Sequence, residues 1–243
     1  MVNGRGNIYL NGIGLGFLAG EPPTPGIIAL VTPDGAAREV AGDLEFPNGM
    51  VITPDNSTLI ISESFAGRLT AFDIAADGSL SNRRAWAEGL GPDGICMDAD
   101  GAVWVETADT REHTGRDDAP EAVVRIREGG EVLGRIEHDR VIFAAMLRGP
   151  DRTTLFLLGA QWRGIEHVDH TVAARIGQIL ITKAPAPVPG AVTGPGPIPA
   201  PGSYQCPLRE RRIPGATLTS RTPARRVRLN CTSRLSSCAR AYC

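Results

Sequence analysis

Short apolar runs separated by turn-forming residues occupy the first three quarters of the chain. The runs are rich in β-branched and aromatic residues, which favour strands over helices. Between them stand "TPDG", "TPDN", "AADG", "DADG" and "REGG", whose Gly, Asn and Asp residues tolerate a positive φ and form tight turns. No segment keeps a 3.6-residue period over the length of a helix. The pattern predicts an all-β fold built from hairpins.

The predicted strands begin and end at the turn signals. They cover residues 7–14, 26–32, 49–54, 57–64, 67–74, 94–99, 102–108, 122–128, 141–147, 152–160 and 177–184. The segments "GRLTAFDIAADGSLSNRRAWA" and "AVVRIREGGEVLGRIE" each read as a complete hairpin, because a Gly-containing turn separates two strand-like runs.

An internal repeat decides which all-β fold the chain adopts. "FPNGMVITPDNSTLIISE" returns as "GPDGICMDADGAVWVE", and "FAAMLRGPDRTTLFLLGA" is a third copy. The turn residues Asp55, Asp100 and Asp151 recur at intervals of 45 and 51 residues. Four short strands in each unit of about 40–50 residues are typical of a β-propeller blade. A β-sandwich, the other all-β candidate, would not repeat with this period.

The beginning of the chain matches the middle of a repeat. "VNGRGNIYLNGIG" aligns with "MDADGAVWVETAD", so that Gly6 falls on Gly101 and Tyr9 on Trp104. The position equivalent to Asp93 would lie just before Met1. The alignment therefore predicts that the chain begins inside a blade, on its inner hairpin.

One exposed position of the repeat carries candidate chemistry. Asn48 in "PNG" corresponds to Asp93 in "PDG" and to Ala144 in the third copy. The loop before the innermost strand of each blade faces the propeller axis, so Asn48 and Asp93 are predicted to converge there. Amide and carboxylate oxygens suit a hard cation such as Ca²⁺ or Mg²⁺. The alternative is that both tripeptides are only tight turns.

Taken together, these motifs resemble the gluconolactonase / senescence marker protein / luciferin-regenerating enzyme (regucalcin-like) family over about residues 1–187. The segments that carry the resemblance are "FPNGMVITPDNSTLIISESFAGRLTAFDIAADGSLSNRRAWA", "PDGICMDADGAVWV", "GGEVL", "RGPDRTTLFLL" and "GQILIT". The resemblance implies a six-bladed propeller with a divalent metal in its central channel, held here by Asn48 and Asp93. Ca²⁺ is the favoured ion, with Mg²⁺, Mn²⁺ and Zn²⁺ as alternatives. The family's first-blade Glu ligand has no counterpart, so the resemblance implies an N-terminally truncated member with about four of six blades.

The function implied by the resemblance is that of a lactonase-type hydrolase of carboxylic esters. The bound cation would polarise the carbonyl of a small-molecule lactone of the sugar-lactone type. Asp93 is the candidate catalytic residue because it could orient or deprotonate a water molecule, although a ligand role is the safer assignment. The alternative is a catalytically inactive propeller fragment that acts only as a binding or structural module. The substrate-binding residues are not predicted.

Charge and cysteine content divide the chain in two. Residues 1–202 carry a net charge of -10, whereas residues 203–243 carry +8 and four of the five cysteines. Residues 1–187 are predicted to form the partial propeller and residues 188–243 a disordered tail, first Pro/Gly-rich and then Arg/Cys-rich. The tail could be an out-of-frame extension, which is favoured, a basic arm that binds nucleic acid or another polyanion, or a cysteine metal site. A lone body cysteine and the absence of signal-peptide and membrane-span patterns predict a cytoplasmic protein.

The "HVDH" segment is the remaining pattern with metal-ligand spacing. His167 and His170 are separated by two residues, but no third ligand follows in sequence. The segment reads as an extended loop with surface histidines, and this interpretation is favoured over a metal site.

Overall fold

A computed structural model describes residues 1–14, 22, 24–107, 122–162, 164 and 167–190, together with the backbone of 225–227. Fifteen strands and one helix lie within these residues. The strands are β1 (Ile8–Gly12), β2 (Gly26–Val31), β3 (Ala37–Leu44), β4 (Pro47–Ile52), β5 (Thr58–Glu63), β6 (Arg68–Ile74), β7 (Leu80–Glu88), β8 (Cys96–Met97), β9 (Val103–Glu106), β10 (Ala122–Ile126), β11 (Val132–Glu137), β12 (Val141–Arg148), β13 (Thr154–Ala160), β14 (Gln178–Lys183) and β15 (Arg225–Val227). The helix α1 spans Val168–Ala174.

The strands form four separate antiparallel sheets, which follow one another along the chain. Their strand orders are β1-β2-β3, β4-β5-β6-β7, β8-β9-β10-β11 and β12-β13-β14-β15. Each sheet is a meander in which consecutive strands pair, as in a propeller blade. The prediction of an all-β fold with about four blades is confirmed. No helix in the described part of the chain is long and apolar enough to cross a membrane.

The predicted repeat is visible in the turns between equivalent strands. The N–H of Asn56 donates to the Thr53 carbonyl at 2.8 Å, and Gly101 and Arg152 make the equivalent bonds to residues three positions earlier. All three donors have positive φ values, between 60° and 76°. Gly6, with a φ of 82°, makes the same bond to Asn3. In the first sheet β1 to β3 therefore hold the places that β5 to β7 hold in the second.

The core lies between the sheets, in three clusters that are each shared by two neighbours. Leu59 and Ile61 of β5 pack with the first sheet, whereas Ile60 between them packs with the third. In the same way Val103 faces the second sheet and Trp104 faces the fourth. Because both faces of an inner strand are buried, its sequence is a continuous apolar run rather than an alternating one.

Three elements differ from the sequence prediction, and one of them is β15, which pairs with β14 although it lies in the segment predicted to be a disordered tail. Strand β3 was not predicted, because "AREVAGDL" contains charged residues and Gly42, and only Leu44 in it is buried. Helix α1 was also missed, since its seven residues are too few for a helical period to stand out. His170 lies in α1 and His167 occupies its N-cap position, so the prediction of an extended loop for "HVDH" is wrong.

The predicted boundary at residue 187 lies next to a segment that is hydrogen-bonded to the body. The Pro187 carbonyl accepts from the N–H of Ala99 at 2.8 Å, and the N–H of Val188 donates to the Arg152 carbonyl at 2.8 Å. Cys206, Cys231, Cys238 and Cys243 all lie outside the described residues. Apart from residues 188–190 and β15, the predicted tail lies outside the described residues, and there its predicted disorder stays a prediction.

Candidate metal centre

The inner loops of the second, third and fourth sheets lie side by side. The N–H of Gly49 donates to the Asp93 carbonyl at 3.1 Å, and the N–H of Gly94 donates to the Phe143 carbonyl at 2.9 Å. The loops that hold Asn48 and Asp93 are thus in direct contact, as the repeat predicts. A bulge between Ile142 and Ala144 brings the Phe143 carbonyl, rather than that of Ala144, to the equivalent position. Neither of these two side chains carries an oxygen ligand.

The glycines of "PNG" and "PDG" are required by close packing. A Cβ atom at Gly49 would lie 2.6 Å from the Asp93 carbonyl oxygen, and one at Gly94 would lie 2.8 Å from the Cβ of Ala144. Neither glycine has a positive φ, and "PNG" lies within strand β4. The tight-turn interpretation is therefore wrong for "PNG", whereas for "PDG", which precedes strand β8, it stays a prediction. The two motifs bring the inner ends of neighbouring blades into backbone contact.

Both candidate ligands line one cleft of about 280 Å³. Its walls are formed by Phe46, Asn48, Ser64, Phe65, Gly91, Pro92, Asp93, Glu106, Val141 and Ile142. These residues come from the second, third and fourth sheets and from the loops between them. The cleft is therefore built from three neighbouring blades.

Asp93 is the electrostatically unusual residue of the cleft. Burial raises the pKa of its carboxyl to about 6, and the hydrogen bond with the Asn48 side chain opposes that rise only in part. Among the described residues, no cationic side chain contributes to this pKa. Asp93 is half-buried, and a carboxylate partly removed from water without a counter-charge is disfavoured, so a bound cation would compensate it. The pair of side chains thus fits a hard divalent ion by ligand type and by charge.

The loop that carries Asp93 is fixed by three hydrogen bonds to its backbone. Ser62 Oγ donates to the Asp93 carbonyl at 2.8 Å, and Ser64 Oγ donates to the Pro92 carbonyl at 2.7 Å. The N–H of Gly91 donates to the Glu106 carbonyl at 3.1 Å. The position of the Asp93 side chain is therefore set by strands of both flanking sheets.

A second carboxylate in the cleft was not predicted from the sequence. The Glu106 side chain is 10% exposed, and its Oε1 lies 3.0 Å from Nε2 of His138, whose side chain is 2% exposed. The Nδ1 atom of His138 is buried and has no hydrogen-bond partner among the residues that the structure describes. The sequence contained a signal for Glu106, because a charged residue there ends an otherwise apolar strand. His138, which follows β11, gave no such signal.

The described residues contain no group of three or more His, Cys, Asp or Glu side chains that could hold a metal ion. His167 and His170 therefore do not form part of such a group with other described residues. The site residues that the structure does bring together are Asn48 and Asp93, with Glu106 on the same cleft.

A family model described as "SMP-30/Gluconolactonase/LRE-like region" matches residues 2–161. That match covers well over half of the chain. The protein belongs to the SMP-30/gluconolactonase/LRE-like family. The resemblance inferred from the repeat is thereby confirmed.

Several solved structures share the fold of this family member. A luciferin-regenerating enzyme aligns with a TM-score of 0.58 at 18% identity, over 77% of this chain and 62% of its own. A gluconolactonase from Xanthomonas campestris aligns with a TM-score of 0.51 at 26% identity, over 65% of this chain and 52% of its own. A calcium-binding protein, regucalcin, from Agrobacterium tumefaciens aligns with a TM-score of 0.50 at 19% identity, over 68% of this chain and 55% of its own. The chain thus spans little more than half to three fifths of the length of these proteins.

Proposed function

We propose that this protein is a metal-dependent hydrolase that opens the ring of a lactone. The observation that carries the proposal is the half-buried carboxylate of Asp93, which lies beside the Asn48 amide in the cleft with no cationic side chain among the described residues contributing to its pKa. Membership of the SMP-30/gluconolactonase/LRE-like family supports it, and the gluconolactonase from Xanthomonas campestris provides a precedent for sugar-type lactones.

The residues that would hold the cation are Asn48 and Asp93. Their hard oxygen donors favour Ca²⁺, with Mg²⁺, Mn²⁺ and Zn²⁺ as alternatives. Ca²⁺ takes about six to eight oxygen ligands, so solvent or substrate would complete the shell. When bound, the ion would polarise the lactone carbonyl and favour attack by water.

Hydrolysis needs a proton acceptor as well as an electrophile. The oxygen of water bonds to the carbonyl carbon, the ring C–O bond breaks, and one proton of the water ends on the released ring oxygen. Asp93 orients the water by accepting a hydrogen bond from it. Glu106 is the other carboxylate of the cleft, and its contact with His138 holds it in place to receive and return the proton.

Metal binding can be tested without any substrate. We expect the thermal midpoint of the protein to rise when EDTA is replaced by millimolar Ca²⁺, because a ligand of the folded state stabilises it by about 2.7 kcal/mol at a hundred times its Kd. Asp93→Asn should lose this rise. Glu131→Gln removes an exposed carboxylate outside the cleft and should keep it. A rise of equal size in the Asp93→Asn variant would contradict the proposed site.

The alternative function is that of an inactive binding or structural module. The observation that favours it is the coverage of only 52–62% of the lengths of the solved relatives just described. The two functions differ in a single assay. Turnover of a lactone that requires both Ca²⁺ and Asp93 supports the hydrolase, whereas Ca²⁺ binding without turnover of any lactone supports the module.

A further inference from the structure

Two stacked aromatic rings form one wall of the cleft. The ring centroids of Phe46 and Phe65 are 4.4 Å apart, and the ring planes are inclined by 25°. Phe65 is 55% exposed, and it lines the same cleft as the half-buried candidate ligands Asn48 and Asp93. The N–H of Ser64 donates to the Phe46 carbonyl at 3.1 Å, and that of Phe65 donates to the Glu45 carbonyl at 3.3 Å. The aromatic pair is therefore fixed to the segment that leads into Asn48.

Phe46 adopts a backbone conformation that a bulky residue rarely accepts. Its φ is 54°, in the left-handed region where glycine is the favoured residue. Strained residues of this kind cluster at ligand sites, where the side chain is needed in one position. At Phe46 the strain presents an aromatic ring to the cleft.

Apart from Asn48, Asp93 and Glu106, the described lining is poor in groups that could bind a polyhydroxylated ligand. Pro92, Val141 and Ile142 are apolar, and the hydroxyl of Ser64 already donates to a backbone carbonyl. A sugar-type lactone has several hydroxyl groups, and those that face this apolar part of the lining would lose their water without finding a partner there. An apolar or aromatic portion would instead stack on the exposed face of Phe65.

We infer that the cleft selects lactones that carry an aromatic or alkyl portion, which stacks on the Phe46–Phe65 pair while the ester group faces Asn48 and Asp93. That the ligand is a lactone rests on the proposed function. The preference for an apolar portion rests on the aromatic wall and on the apolar part of the lining, so the two can be tested separately.

Binding of ring-opened products tests the preference without turnover. Isothermal titration in Ca²⁺ would compare gluconate with the ring-opened acid of dihydrocoumarin, a lactone fused to a benzene ring. We expect the aromatic acid to bind at least about tenfold more tightly, the lower end of what an apolar contact provides in a pocket. Phe65→Ser should remove that advantage, and Phe65→Leu should retain part of it. Gluconate binding should be the same in all three proteins.

Val132→Ser is the matched control, because Val132 is 57% exposed and lies outside the cleft on β11. It should leave both affinities unchanged. Equal binding of the two acids, tighter binding of gluconate, or an aromatic preference that survives Phe65→Ser would each overturn the inference. Thermal melts of every variant establish that the fold is retained.

Turnover separates this inference from the proposed function. The ratio of kcat/KM for dihydrocoumarin to that for glucono-δ-lactone should exceed one and fall about tenfold in Phe65→Ser. If the aromatic acid binds preferentially but neither lactone is hydrolysed, the hydrolase proposal fails and the apolar preference stands. If both lactones are hydrolysed at ratios that Phe65→Ser does not alter, the preference fails and the hydrolase stands.

Discussion

Glu63 and Asp93 are two carboxylates that differ in how far they are buried and in how their charge is compensated. The Glu63 side chain is fully buried, yet Arg68 and Arg83 each approach it to 3.1 Å. It also accepts hydrogen bonds from the hydroxyl of Thr70 and from the N–H of Glu45. Asp93, in contrast, is paired only with the Asn48 amide among the described side chains that affect its pKa.

The pKa values of the two carboxyls move in opposite directions. Burial alone would raise the pKa of Glu63, but the hydrogen bonds from Arg68, Thr70 and the Glu45 N–H hold it below its ordinary value. Burial raises that of Asp93 to about 6. Glu63 links β5, β6 and β7 of one blade, whereas the raised pKa of Asp93 indicates that the fold disfavours its charged form. A destabilised carboxylate in a cleft is characteristic of a functional site.

Removal of the compensated charge should have the largest effect. Glu63→Gln leaves two arginines without their carboxylate, and we expect the free energy of unfolding to fall by about 3 kcal/mol. Urea denaturation would measure it. Asp73→Asn breaks the exposed ion pair with Arg84 and serves as the control, with an expected loss below about 1 kcal/mol. Equal losses in the two variants would show that Glu63 is not a special fastening point.

Removal of the uncompensated charge of Asp93 should have the opposite effect, because it should make the folded state more stable. In EDTA at pH 7 we expect Asp93→Asn to raise the free energy of unfolding by about 1–2 kcal/mol, a value discounted for partial exposure. The carboxyl titrates at 3.8 when unfolded and near 6 when folded. The folded state therefore takes up the proton first as pH falls, so the native protein gains stability between pH 6 and pH 4.

The same measurement at pH 5 supplies the internal control for Asp93→Asn. The advantage of the variant over the native protein should shrink there, because the native carboxyl is then protonated in the folded state. A variant that is less stable than the native protein at pH 7 in EDTA would remove the contrast with Glu63.

The contrast between Glu63 and Asp93 also shows how much of the site could be predicted from the sequence. The repeat alone predicted the blades. It also predicted that Asn48 and Asp93 lie close together, because equivalent positions of repeated units converge whatever their side chains. It did not predict the environment of either carboxylate. Arg83 is 20 residues from Glu63, and His138 is 32 residues from Glu106. Such pairs depend on strand order and side-chain direction across a sheet, which no local pattern encodes. The same limit explains β3, whose pairing with β2 does not need an apolar face.

The smallest expected effect concerns the hydrogen bond that positions Asp93. Ser62 is fully buried and donates to the Asp93 carbonyl, which keeps a second hydrogen bond from the N–H of Gly49 when Ser62→Ala removes the first. We therefore expect a loss of only about 0.5–1.5 kcal/mol in the free energy of unfolding. Ser64→Ala removes the neighbouring bond to Pro92 and is the matched comparison.

The two serine variants should differ in Ca²⁺ affinity more than in stability. Ser62 fixes the backbone of the ligand itself, whereas Ser64 acts one residue earlier, so titration calorimetry should find the weaker Ca²⁺ binding in Ser62→Ala. An unchanged affinity in that variant would mean that the contact between Gly49 and Asp93 is sufficient to position the carboxylate. The close packing of neighbouring blades, which Gly49 and Gly94 make possible, would then determine the geometry of the Asn48–Asp93 site.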